Sequence, residues 1–300
     1  MRRTSYRIFD VTLAGRQMLS PHMARLTFGG DEVADMAMHA PDQRIKLFFP
    51  KADGSPPAIP DRPDWYDLYR SVPPAERAPM RTYTIRALDA GALTVDFVLH
   101  GDEGPASRWA AAAAPGERIQ ISAPCRHSDA SPGGYDWEPP AGVERVLVIA
   151  DETALPAVAG IFEQLAAMPR RPAVQAFIEV PGEADRLELP VWDGLELHWM
   201  PRRRTDGTSV PYGAGMVEAA LRATIPPGML GTDRGALATV DIDRDTLWDR
   251  ARPGDSAFYA WVAGETAAVS RIRTLFIRDK AIDRRCLTLM GYWRHGKAKP

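Results

Sequence analysis

The chain has 300 residues, room for two ordinary domains, and its 45% hydrophobic and 25% charged residues are a globular mixture. A net charge of −2 gives no global attraction to nucleic acid or to an anionic membrane surface, so any basic site must be local. No apolar stretch approaches the ~20 residues of a membrane span, and the start MRRTSYRIFDVTL lacks the apolar core of a signal peptide. The expectation is a soluble, cytoplasmic protein with no nucleic-acid or membrane partner. Cys125 and Cys286 stand far apart without neighbouring histidine pairs, which argues against a disulfide framework or a zinc site. No heptad pattern stands out, so a monomer is expected.

In chain order, SYRIFDVTLAG, ARLTFGG, RIKLFFP, RTYTIRAL, LTVDFVLH and RIQISAP read as six short strands with turn signals between them. The Pro-rich stretch between Pro50 and Pro79, carrying Trp65, Tyr66 and Tyr69, reads as a surface excursion with one short helix. A helix is expected over 106 to 114. Six strands with so little helix predict a small antiparallel barrel.

The pattern changes after SPGGYDWEPPAG, residues 131 to 142. VERVLVIA, VQAFIEV, LELHWM, FYAWVAG and CLTLMGYW are apolar on both faces. They alternate with helical patterns at 154 to 166, 214 to 224 and 265 to 279. That is the signature of a parallel sheet covered on both sides. The domains are therefore placed at 1–138 and 139–300. The segment from Pro226 to Pro253 reads as an irregular insertion with one short helix near 243 to 250.

The chemistry sits in MRTYTIR, residues 80 to 86, and DFVLHGDEGPASRW, residues 96 to 109. Alternation along a strand projects Arg81 and Tyr83 together and turns Thr84 the other way. A guanidinium can pair with a pyrophosphate while a phenol ring lies against a flat ring system. Gly104 to Ser107 offer backbone N–H groups and a hydroxyl where a helix begins, and Pro105 suits a first helical turn. Each fragment alone is common chain punctuation; their order and close spacing point to a flavin. In the second half, DETALPA and AGETAAV fall at the carboxyl ends of strands, where open sheets bind ligands. Neither contains GxGxxG, so a nicotinamide site rests on architecture. Arg202, Arg203 and Arg204, after LELHWM, are candidates for the 2′-phosphate of NADPH.

RTYTIR, DFVLHGDEGPASRWA, GGYDWEPP, DETALPA, FIEVPGEADR, YAWVAGE and MGYWRHG, in this order, closely resemble the siderophore-interacting proteins, FAD-dependent ferric-siderophore reductases of the ferredoxin-reductase superfamily. The resemblance covers nearly the whole chain. It implies an N-terminal antiparallel six-stranded FAD-binding barrel followed by a C-terminal parallel-sheet NAD(P)-binding-like domain. It also implies that Arg81 binds phosphate, Tyr83 lies against the flavin and Thr84 approaches its reactive edge. His100 and the loop of Gly104, Ala106 and Ser107 would contact the ribityl chain and pyrophosphate. Asp151 and Thr153 of the DET motif would stand where nicotinamide meets flavin, and Trp293 would close over the cofactor. Lys46, in RIKLFFP, matches a lysine position of the family on the strand before the flavin motif, and Arg126 joins it as a substrate-side candidate by proximity in the barrel.

The expected activity is transfer of electrons from NAD(P)H through FAD to a ferric siderophore, so that ferrous iron leaves. No catalytic nucleophile, triad or general base is expected, because the redox chemistry belongs to the cofactor. Two alternatives remain open: another flavin reductase of the same architecture with a ferredoxin or free-flavin acceptor, and a protein that binds flavin or siderophore without turnover.

Overall fold

A computed structural model describes residues 5–89, 91–99, 104–229, 240, 242, 245–252, 254 and 256–296. The chain divides into two compact units, Met1–Tyr135 and Asp136–Pro300.

The first unit contains seven strands: β1 (Tyr6–Ser20), β2 (Met23–Gly29), β3 (Arg44–Phe48), β4 (Met80–Thr84), β5 (Ala87–Asp89), β6 (Ala92–Val98) and β7 (Arg118–Pro124). They pair antiparallel in the order β4-β3-β7-β1-β2-β6-β5. RTYTIRAL, expected as one strand, is two. Ile85 N–H donates to the Gln43 carbonyl on one side and Arg86 N–H to the Thr94 carbonyl on the other, at 2.8 and 2.9 Å. The chain thus steps from one edge of the sheet to the other across two residues, so the sheet must roll until its edges meet. Alternate side chains fill the interior: Phe9, Val11 and Leu13 from β1, Leu26 and Phe28 from β2, Ile45 and Leu47 from β3, Ile119 and Ile121 from β7.

Among the described residues, two α-helices decorate this barrel. The Pro-rich excursion carries α1 (Trp65–Ser71), and Trp65 and Tyr69 set their rings edge-on to Phe48 at 5.5 and 5.8 Å. The excursion is also tied at its start, where Ile59 N–H donates to Gln120 Oε1 (2.6 Å) and Asp61 accepts from Arg7 and from the Ile8 amide. Pro105–Ala112 forms α2, with Gly104 as its N-cap.

The second unit is a six-stranded sheet. Its elements are β8 (Arg145–Ala150), α3 (Leu155–Ala166), β9 (Ala173–Val180), β10 (Leu195–Pro201), α4 (Ala214–Arg222), β11 (Trp248–Asp249), β12 (Phe258–Glu265), α5 (Thr266–Thr274) and β13 (Leu287–Trp293). The order is β10-β9-β8-β12-β13-β11, parallel except for β11, which lies antiparallel to β13. The expected short helix near 243 to 250 is thus corrected: Trp248–Asp249 extends the sheet edge, while residues 243 and 244 lie outside the described residues. Every residue of β12 is buried, as a central strand covered on both faces requires. Strand order reverses between β8 and β12, so loops after these two strands flank the place where such sheets take ligands.

Candidate functional site

In the first unit, the register of β3 against β4 decides which side chains share a face. Arg81 lies opposite Leu47 and Tyr83 opposite Ile45, the core-facing positions of β3. Thr82 and Thr84 lie opposite Lys46 and Arg44 on the other face. Arg81 and Tyr83 are therefore brought together, with Lys46 and Thr84 across the strand from them. Among the described residues Arg81 has no ion-pair partner, and its one hydrogen bond runs from Nη1 to the Met80 carbonyl at 2.8 Å.

Tyr83 is fixed by aromatic packing. Its ring centroid lies 4.3 Å from Phe97 and 6.4 Å from Phe49, and Phe97 in turn lies 6.3 Å from Trp109 on α2. Burial pushes the phenol pKa up, so the ring stays neutral. Phe97 and Trp109 stand inside the quoted motif DFVLHGDEGPASRW, and alternation alone could have marked Phe97 as inward-facing. The packing that links Tyr83 to α2 across two segments was not readable.

At the head of α2, Gly104 is extended (φ −125°, ψ 144°) and brings no side chain to the helix end. A Cβ built on it would meet nothing within 4 Å among the described residues. Ala106 and Ser107 are buried in the first turn. His100 lies outside the described residues.

Lys46 is half-buried, opposite Thr82 on β4 and Ser122 on β7, and has no hydrogen-bond or ion-pair partner among the described residues. Burial, and then the nearby Arg44 charge, lower its pKa. Arg126 is exposed, and its Nη1 donates to the Ala34 carbonyl at 2.7 Å beside the His127–Asp35 pair at 2.8 Å. Its guanidinium is thus partly committed to closing a short turn.

The second unit gathers its polar groups at the carboxyl ends of the strands. Asp151, buried after β8, accepts four hydrogen bonds. Thr153 N and Oγ1 reach Oδ1 at 2.9 and 2.5 Å; Glu265 N and Trp293 Nε1 reach Oδ2, both at 2.7 Å. Three sequence-derived candidates from opposite ends of this unit, Asp151, Thr153 and Trp293, thus form one cluster. Gly264 has no room for a side chain there: a Cβ would lie 2.6 Å from Asp151 Oδ2. Burial, and then the neighbouring Glu152 carboxylate, push the Asp151 pKa up to about 7 against the pull of the Thr153 and Trp293 donors.

Arg202 corrects the reading of the three arginines. It is buried, its guanidinium forks onto both oxygens of Glu152 at 2.6 Å, and Nη1 also reaches Glu179 at 3.1 Å. Its charge also lies over the Tyr212 ring at 4.3 Å. Only Arg203 and Arg204 remain exposed. Glu179 was missed from sequence because it sits within an apolar strand run. It accepts from the amides of Gly213 (2.8 Å), Gly215 (2.8 Å) and Met216 (3.3 Å), capping α4. Gly213 is left-handed (φ 76°), and a Cβ there would lie 2.3 Å from that of Ala268.

Two family models divide this chain between them: siderophore-interacting FAD-binding domain over residues 12–128, and siderophore-interacting protein over residues 143–296. The chain belongs to the siderophore-interacting protein family. As a member, it is 31% identical over 286 residues to an uncharacterised protein of Mycobacterium tuberculosis (strain ATCC 25618 / H37Rv), spanning 94% of this chain and 88% of the relative. It is 28% identical over 201 residues to the NADPH-dependent ferric-chelate reductase of Escherichia coli (strain K12), covering 66% and 73%. Among solved structures it is similar to a siderophore utilization protein from T. fusca, with a TM-score of 0.72, 26% identity, and 98% and 95% of the two chains covered. In this siderophore-interacting chain the first unit's residues fit FAD. A guanidinium without an ion-pair partner among the described residues, a half-buried phenol ring on the same strand face and a glycine-headed helix are what a flavin dinucleotide needs.

Proposed function

We propose that this protein is an FAD-dependent ferric-siderophore reductase that takes electrons from NAD(P)H and passes them to a ferric chelate, so that ferrous iron is released. The observation that carries this reading is the shared face of Arg81 and Tyr83 on β4, in a chain that belongs to the siderophore-interacting family. The Escherichia coli relative, named for NADPH-dependent ferric-chelate reduction, supports the reaction class. In this reading the FAD domain runs to about residue 138 and the donor domain from 139.

Bound FAD supplies the ability to accept two electrons as a hydride and release them singly. The chain's own residues hold and orient. Arg81 and the amides of Gly104, Ala106 and Ser107 would hold the pyrophosphate, and the family resemblance gives His100 a contact to the ribityl chain or pyrophosphate. Tyr83, fixed by Phe97, would flank the ring system, and the Thr84 backbone would stand at its reactive edge. In the second unit, Asp151 and Thr153 hold Trp293 in place through the 2.7 Å indole bond. Ferric iron is a hard cation held by oxygen donors, and the ferrous ion is held far less tightly, so reduction is the release step. Many ferric siderophores are anionic, and the half-buried Lys46 ammonium would draw them in, with Arg126 a weaker contributor.

The test is steady-state formation of a ferrous-trap complex from a ferric siderophore and NADPH, with protein reconstituted with FAD and with the R81A variant alongside. Turnover that needs FAD and falls in R81A supports the reading. FAD-loaded protein that produces no ferrous iron overturns it in favour of another acceptor or a binding role.

A further inference from the structure

In an open parallel sheet, the pyrophosphate of a dinucleotide is held by free amides at helix N-termini beyond the strand ends. In the second unit the chain itself occupies the amides at the head of α4 and part of those at the heads of α3 and α5. Ahead of α3, Thr153 N donates to the Asp151 carboxylate, Ala154 N to the Asp151 carbonyl and Leu155 N to the Glu152 carbonyl, and Pro156 has no N–H. At α4, Gly213, Gly215 and Met216 donate to Glu179, and Ala214 donates to the Pro211 carbonyl. At α5, Ala268 N donates to Glu265 Oε2 at 2.9 Å, and Glu265 N is held by Asp151.

The charge balance points the same way. Asp151, Glu152, Glu179 and Glu265 are all buried at this edge, and Arg202, the buried cation among them, is committed to two of them. Arg203 and Arg204 are exposed, where a single charge contact is screened and weak. Seating a pyrophosphate would require displacing a carboxylate from its amides and placing new negative charge beside the others.

We infer that Asp151, Glu179 and Glu265 are specificity-determining residues that close the carboxyl edge of the second unit to the phosphates of a dinucleotide, so that a dihydronicotinamide reduces the flavin without its adenosine half being recognised. This rests on the reading that NAD(P)H is the donor. In the step itself the C4–H bond of the dihydronicotinamide breaks, its hydride goes with both electrons to oxidised FAD, and a nicotinamide cation leaves.

The experiment compares NADPH, NADH and reduced nicotinamide mononucleotide as anaerobic donors to the FAD-loaded protein in stopped flow. In parallel, adenosine 2′,5′-bisphosphate and ADP-ribose are titrated into the protein by calorimetry. Remote binding energy that is not used cannot be lost on truncation, so the three donors should bleach the flavin within about threefold of one another. Neither adenosine probe should show saturable binding below millimolar concentration. Saturation with NADPH together with a rate more than about tenfold above the mononucleotide, or micromolar binding of either probe, would overturn the inference. If no dihydronicotinamide bleaches a flavin that dithionite does bleach, the donor reading fails, and the calorimetry still decides whether the edge is closed.

Discussion

The head of α2 in the first unit and the heads of α4 and α5 in the second face their ends differently. At α2 the N-cap is a glycine whose missing side chain would meet none of the described residues within 4 Å, whereas α4 and α5 are headed by the buried carboxylates of Glu179 and Glu265. The macrodipole favours an anion at each of these ends. Where the chain supplies that anion itself, the result is a rigid, self-satisfied edge; at α2, in the proposed reading, a ligand's phosphate would supply it. The same local physics would thus yield a support in one unit and, in the proposed reading, a cofactor cradle in the other.

The most severe way to break this contrast is R202A. It leaves Glu152 and Glu179 buried without their cation, and a loss of about 3–5 kcal/mol in unfolding free energy is expected by denaturant titration. A variant as stable as the parent would mean the acidic edge is solvated. Next is D151N, which puts an amide nitrogen where a carboxyl oxygen accepts from amides, a hydroxyl or an indole, and leaving such buried donors unsatisfied should cost about 1–3 kcal/mol.

Asp151 also sets a pH dependence. Its folded pKa, raised to about 7, lies above the ordinary carboxylate value, so the folded chain holds a proton that the unfolded chain has released. Its contribution to stability therefore falls as pH rises through the window from about 4 to about 7, and D151N should flatten that slope. Trp293 emission, read against pH, should shift in the same window, because its indole donates to this carboxylate. A D151N profile identical to the parent's would show that Asp151 does not titrate there.

R81A should weaken FAD binding by roughly 10- to 100-fold, the scale of one charge-assisted pair, while leaving the unfolding midpoint of the second unit unchanged. The smallest effect expected is that of K46A. KM for an anionic ferric chelate should rise by roughly 3- to 10-fold at low salt with kcat kept, and the difference should shrink as salt is added. A salt-independent change would show that Lys46 acts through packing.

Much of this architecture was legible because hydrophobic period reports burial directly. The alternating runs became the barrel, and the runs apolar on both faces, such as FYAWVAG, became buried strands of the second sheet. What was not legible depends on contacts between distant segments. The corner at Ile85 and Arg86 reads like uninterrupted strand, and only pairing with Gln43 and Thr94 breaks it. Arg202 reads as the first of three loop cations, and only Glu152, fifty residues away, reveals it as buried. The shared face of Arg81 and Tyr83 followed from alternation, but the self-capping by Glu179 did not, since its amide partners lie more than thirty residues further along.

The most direct measurement is a single turnover under argon. The FAD-loaded protein is reduced, freed of excess reductant and mixed with a ferric siderophore and a ferrous trap. Return of the oxidised flavin spectrum with about two trapped ferrous ions per flavin is the predicted result, since each stored hydride carries two electrons. A flavin that stays reduced while the ferric chelate remains intact would contradict iron as the acceptor.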